Sequence, residues 1–208
     1  MPIPAYHALV RPAVGDAPLV FAFHGTGGDE LQFAGLIHRI LPGAGIVAPR
    51  GDVLEHGARR FFRRTGEGVY DMDDLARRTE AMIAFTRSIR SKEPERAAFA
   101  MGYSNGANIL ASMSFADAAL FDRMALLHPL VPWRPAANAG LRERSVLITA
   151  GRRDPIAPLA LTQALAEYYR SQGSIVTVET HDGGHEIQNG EVAALARFFV
   201  AKPPRGDA

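Results

Sequence analysis

The sequence predicts an α/β fold: a mostly parallel, doubly wound sheet forming one domain over 1–208. Three observations lead there. Short, continuously apolar runs recur along the chain, as strands buried on both faces require. Stretches of helical periodicity separate them, so crossovers connect neighbouring strands and parallel pairing follows. The polar segments that can carry chemistry fall just past the apolar runs, where ligands bind in such sheets.

Taken in order, residues 6–11 read as an N-terminal edge strand and 12–18, bounded by Pro12 and Pro18, as a turn. The run LVFAF over 19–23 is a buried strand, ending in HGTGGDE over 24–30. Leu31, Ala34, Leu36, Ile37 and Ile40 then recur at helical spacing. A strand over 45–49 follows, and Arg50, Gly51 and Asp52 open a long loop that runs to Gly68 and contains RRFFRR. Asp71 or Asp73 is placed to cap a long helix through Ile89, with Leu75, Met82, Ile83 and Phe85 facing inward. Past the central stretch at 97–111, strands are expected over 124–127, 145–150 and 175–178, with a loop over 129–144 too small for a helical lid. Helices are expected over 158–171, stopped by Gly173, and from about Gly190 to Ala201. Residues 202–208 read as a frayed tail.

The central stretch is AAFAMGYSNGANILA: an apolar strand, then G-x-S-x-G, then a helix. This is the nucleophile elbow, a turn so sharp that the serine hydroxyl stands above the sheet on a strained backbone. Side chains at Gly102 or Gly106 would collide across it, and the following helix aims its N-terminal amides at the site. A lone G-x-S-x-G is also ordinary loop sequence; the strand before and the helix after give it weight.

A serine hydroxyl needs an adjacent base, and the base an orienting acid. Asp154 follows Ser104 just past a strong strand, and His185 follows Asp154 past the last one, in the order serine, acid, histidine. Asp182 shares the loop of His185 and has no strand of its own, so it is the weaker acid. His181 is expected in the fraying end of the last strand, whereas Gly183 and Gly184 make a tight turn that presents His185. His128 reads as a structural or rim residue; His7, His38 and His56 have no positional claim. The oxyanion donors expected are the backbone N–H of Asn105 and that of Thr26, with Gly27 next. The same glycines also suit an ordinary strand-to-helix turn with Asp29 as cap. A phosphate loop is disfavoured because its lysine and spacing are missing, and His24, Asp29 and Glu30 do not complete a metal shell.

Composition bounds the partners. With 47% hydrophobic and 22% charged residues the chain has the make-up of a soluble globular protein. A net charge of +1 provides no field for nucleic acid or membrane. The absence of cysteine excludes disulfides, cysteine–zinc sites and a thiol nucleophile. Neither a signal peptide nor a membrane span is expected, which points to a cytoplasmic protein. In RRFFRR the plain expectation is that the phenylalanines pack while the arginines pair with Glu67, Asp71 or Asp73. The sharper one is that an arginine, with Arg63 as the residue to test, lines the pocket mouth and favours anionic or polar acyl groups.

With these residues in place the chain resembles the small serine esterases of the carboxylesterase/phospholipase branch of the α/β-hydrolases, near the acyl-protein thioesterases and bacterial hydrolases of the MhqD-like kind. The resemblance rests on FHGTGGDE over 23–30, RFFRR over 60–64 with Glu67 and Gly68, GYSNGAN over 102–108, Gly151 with Asp154, Pro155 and Ile156, and GGHEI over 183–187. It implies a single α/β-hydrolase domain, Ser104, Asp154 and His185 as triad, Thr26 and Asn105 as oxyanion donors, and no metal or organic cofactor. Asn105 stands where the thioesterases commonly have glutamine. The expected function is cleavage of short-chain carboxylic esters, or thioesters, by way of an acyl-enzyme. Two alternatives stay open: acyl transfer to another acceptor, which products formed with added alcohols would reveal, and a non-catalytic binding protein, which a silent serine probe would reveal. A homodimer through an exposed strand or helix is the assembly to test by light scattering.

Overall fold

The computed structural model describes residues 6–201. Its core is a seven-stranded sheet whose strands are β1 (Ala8–Arg11), β2 (Leu19–Phe23), β3 (Gly45–Pro49), β8 (Ala98–Tyr103), β9 (Arg123–Leu127), β10 (Ser145–Gly151) and β11 (Ile175–His181). Across the sheet they run β1-β3-β2-β8-β9-β10-β11, with only β1 antiparallel to its neighbour. The helices are α1 (Ala34–Ile40), α2 (Met72–Arg90), α3 (Asn105–Ala116), α4 (Leu159–Ser171) and α5 (Asn189–Val200). The predicted doubly wound α/β architecture is therefore observed. The expected tail lies outside the described residues.

The apolar runs sort by alternation. In β2, Leu19, Phe21 and Phe23 face a core shared with α2, α3 and α4, while Val20 and Ala22 face the one under α1 and α5. Ala98 and Ala100 against Phe99 and Met101 repeat the pattern in β8. Period-two side chains on a sheet covered on both faces leave no polar position inside these strands, hence the unbroken apolar runs.

Two sequence expectations need correction. The loop opening at Arg50 is two short hairpins, β4 (Val53–Glu55) with β5 (Ala58–Arg60) and β6 (Arg64–Gly66) with β7 (Val69–Tyr70). His56 and Gly57 both take positive φ at the first turn, as a two-residue hairpin turn requires. And α1 begins at Ala34 rather than near Leu31, because the Asp29 carboxylate accepts the Leu31 N–H at 2.9 Å and holds a turn there. Asp71, not Asp73, caps α2, accepting from the Asp74 N–H at 3.0 Å. The segment after β9 carries one short 3-10 turn, Ala139–Leu141, and no lid helix.

This topology positions the site. The chain winds outward on one side from β2 and on the other from β8, so the two meet at the switch point, where the carboxyl ends diverge and leave a crevice. The ends of β2, β8, β10 and β11 all open there.

Candidate active site

Ser104 sits between β8 and α3 with φ 51° and ψ −119°, a backbone state that a non-glycine residue keeps only when its surroundings enforce it. The enforcement is visible. A Cβ on Gly102 would strike the Gly106 carbonyl, and one on Gly106 the Phe23 carbonyl, so strand and helix pack without side chains between them. The Ser104 N–H donates to Leu127 O at 2.9 Å and its carbonyl starts α3 by accepting from Asn108 N at 3.0 Å.

Ser104 Oγ lies 2.8 Å from His185 Nε2, and His185 Nδ1 lies 2.7 Å from Asp154 Oδ2. Three residues far apart in the chain thus form one hydrogen-bonded line. Asp154 is buried. Its Oδ1 accepts from the N–H groups of Ile156 and Ala157 at 2.8 and 2.9 Å, which fixes the carboxylate plane and leaves Oδ2 for imidazole. Burial alone would raise the Asp154 carboxyl; those amides and the imidazoles beside it outweigh the burial and hold it below the usual range. The loop bearing His185 is seated on the end of β10: a Cβ at Gly151 would meet the Gly184 carbonyl. Asp182, the weaker acid, is exposed and 3.3 Å from Arg152.

On the other side, Gly25 N donates to Gln32 Oε1 and Gly27 N to Arg59 O, each at 2.9 Å. Thr26 N lies between these two engaged amides and has no acceptor among the described residues, so it, rather than Gly27, is free for an oxyanion. Asn105 N is the first amide of α3 and equally free. The Asn105 side chain points away from chemistry: its Oδ1 accepts from Phe61 N at 2.7 Å, tying the helix start to the hairpin segment. His24 is also structural. Its Nε2 accepts from Gly51 N at 2.9 Å, its Nδ1 lies 2.7 Å from Gly25 O, and burial pushes its basicity down.

A serine above a parallel sheet, joined through histidine to a buried aspartate, can open an acyl bond. Comparison with known proteins shows the family. The dienelactone hydrolase family model matches residues 3–191. The chain belongs to that family. The chain is also similar to the "Putative hydrolase MhqD" of Bacillus subtilis (strain 168), 37% identical over 183 residues, covering 87% of this chain and 92% of that protein. Among solved structures, the carboxylesterase of Bacillus cereus superposes with a TM-score of 0.87 at 34% identity, covering 93% of both chains. The Agrobacterium tumefaciens protein Atu2452, described as of unknown function, gives 0.86 at 49% identity over 93% of this chain and 95% of its own. The expected likeness to α/β-hydrolase esterases therefore holds, and the chain is a hydrolase of this type.

In this dienelactone hydrolase family member the serine and histidine open onto a cleft of about 340 Å³, lined also by Arg60, Arg64, Tyr70, Leu130 and Ile156. A larger groove of about 510 Å³ between Trp133 and Tyr168 contains none of these groups. Phe61 and Phe62 are fully buried, each contributing about 2–3 kcal/mol of apolar burial. Arg63 pairs with Asp74 at 3.4 Å and is absent from the cleft wall, so the expectation that it lines the mouth is corrected. Arg60 and Arg64 take that place. Arg60 donates to Thr26 Oγ1 at 2.9 Å and approaches Glu55 at 3.2 Å, while Arg64 pairs with Glu55 at 2.9 Å and Glu67 at 2.7 Å. Of the expected partners only Glu67 is used.

Of the two readings the sequence left for His128, structural or rim, the structure supports the first. His128 is no rim residue: it is fully buried, directly behind Asp154, with Nδ1 2.9 Å from Asp154 Oδ2. The signal available was position, since it too follows a strand that ends at the crevice.

Proposed function

We propose that this chain is a serine hydrolase that cleaves short-chain carboxylic esters, and thioesters of like size, through an acyl-enzyme. The hydrogen-bonded line from Ser104 through His185 to Asp154 carries the reading. Ser104 Oγ attacks the acyl carbon as its proton passes to His185 Nε2. The carbonyl oxygen becomes an oxyanion facing the N–H groups of Thr26 and Asn105. The bond to the leaving oxygen or sulfur then breaks, and that atom takes the proton from His185. Water repeats the sequence on the acyl-serine: its proton goes to His185, its oxygen to the acyl carbon, and the proton returns to Ser104 Oγ as the acid leaves. Asp154 keeps the His185 N–H on Nδ1 and stabilises the imidazolium formed twice in the cycle.

Cleft size and the lack of a lid helix favour small acyl groups, and Arg60 and Arg64 favour polar or anionic ones. The experiment is a rapid quench with p-nitrophenyl acetate followed by peptide mass spectrometry. An acetyl group on Ser104, and acetate and butyrate esters turned over faster than decanoate, are expected. Acetylation elsewhere, or a preference for decanoate, would overturn the mechanism or the chain-length reading respectively.

A further inference from the structure

His128 occupies an unusual place for a histidine outside the reacting line. It is the first residue after β9, its φ is 49°, and its N–H donates to Thr149 O at 3.0 Å, so the chain turns left-handed and drops the ring beneath Asp154. There the imidazole spans two carboxylates. Nδ1 is 2.9 Å from Asp154 Oδ2, and Nε2 is 2.9 Å from Glu191 Oε1; all three side chains are almost wholly buried. Glu191 is the third residue of α5 and closes that helix's capping box, its Oε2 accepting from Gln188 N at 2.7 Å.

The protons can be assigned from the partners. Asp154 accepts two backbone N–H groups and the His185 Nδ1–H, which leaves it a carboxylate. Glu191 accepts the Gln188 N–H and, at 3.1 Å, faces Nε2 of His181. His181 Nδ1 accepts from Gly183 N at 3.0 Å, so its ring proton is on Nε2 and points at Glu191. A carboxylate oxygen thus stands 2.9 Å from each nitrogen of the His128 ring, the arrangement of an imidazolium between two anions, and His181 Nε2 approaches the same Nε2 at 3.5 Å. Burial alone would push His128 down, but the two carboxylates outweigh it and raise its basicity, while Glu191, like Asp154, is held below the usual range.

We propose that His128 is a positioning residue: clamped as an imidazolium between Asp154 and Glu191, it holds the Asp154 carboxylate in place and moderates its pull on His185. This rests on the reading of Ser104, Asp154 and His185 as the reacting line. The groups facing His128 are Asp154 after β10, Glu191 on α5, His181 at the end of β11, His185 on the following loop with ring centres 5.2 Å apart, and Tyr103 at the end of β8, edge-on at 5.9 Å. Asp154 Oδ2 is shared by two imidazoles, those of His128 and His185. A fixed cation beside the carboxylate offsets part of the negative charge that Asp154 presents to His185. Glu191 keeps that cation in place.

His128, His181 and Glu191 also stand close enough together to hold a metal ion. The proton on His181 Nε2 and the Gly183 N–H on Nδ1 argue for the hydrogen-bonded chain instead.

The test has two arms. Long-range 1H–15N NMR of the intact, resting protein reads the His128 ring without reference to turnover; two protonated nitrogens persisting through pH 8 are expected, and one neutral tautomer at pH 7, or occupancy by an added divalent ion, would overturn the proposal. The second arm is the pH profile of kcat/KM for His128→Asn and Glu191→Gln. Asparagine suits the left-handed backbone and retains a donor to Asp154 without the charge. Both variants should move the acid limb to higher pH by about one unit, and the double variant no further. A uniform loss of rate with no movement of that limb, or a movement to lower pH, would leave His128 a packing residue. If the variants fail to fold, the NMR arm decides. If the wild type turns over no ester while NMR shows the imidazolium, the hydrolase reading fails and the charge assignment stands.

Discussion

Tyr103 donates its hydroxyl hydrogen to the main-chain carbonyl of His185 at 2.7 Å, so the residue just before Ser104 holds the loop that carries His185. Its ring also packs on the His185 ring at 5.4 Å. Tyr103→Phe keeps the packing and loses the tether. Because a small misplacement of a catalytic group is felt strongly in rate, kcat should fall about tenfold with KM nearly unchanged. Steady-state kinetics on p-nitrophenyl acetate measures it; an unchanged kcat would mean that the loop holds itself.

The same loop rests on Gly151. Gly151→Ala forces a Cβ into the Gly184 carbonyl and must lift the loop away from Asp154. A fall in kcat/KM of about a hundredfold is expected, with a loss of stability of about 1–3 kcal/mol in urea denaturation. Retention of full activity would show that the loop moves as a unit without losing register.

The cleft arginines divide by role. Arg64→Ala should reduce kcat/KM for an anionic ester more than for its neutral counterpart, whereas Arg63→Ala, removed from the cleft and paired with Asp74, should leave that ratio unchanged. Parallel assays of the two esters check both. Equal losses for the two esters in Arg64→Ala would remove charge from the account of specificity.

Most of the site could be read from sequence because each part lies at the end of an apolar strand. The glycines flanking Ser104 and the order Ser104, Asp154, His185 are properties of the chain that need no packing to recognise. Other features exist only through contacts. The hairpins between Val53 and Tyr70 have strands of two or three residues, too short for periodicity to show. Arg60 is buried only because Thr26 Oγ1, Phe62 O and Glu55 surround it. Glu191 falls at the start of the expected C-terminal helix, and nothing in the sequence brings it to His128. The reach of β11 to His181, three residues past the expected end, follows from pairing with β10 through Gly151.

Away from the site, Glu30 accepts two hydrogen bonds from Arg50 at 2.6 Å, and these hold its carboxyl down to about 2 from an ordinary 4.5. A carboxylate with a depressed value stabilises the fold above its unfolded pKa and loses that contribution as pH falls through the folded one. Thermal melts of wild type and Glu30→Gln should differ at pH 6 and converge as the pH falls from about 5 to 2. A gap that stays constant with pH would assign the stabilisation to packing.

Fluorophosphonate labelling of the wild type, Ser104→Ala and His185→Ala, with the modified peptide located by mass spectrometry, tests the central claim most directly. Label on Ser104 in the wild type, none in Ser104→Ala, and labelling slowed by about 10⁴-fold or more in His185→Ala are expected. A wild type that takes up no label, or that takes it up equally well without His185, would contradict the assignment of Ser104 as an activated nucleophile.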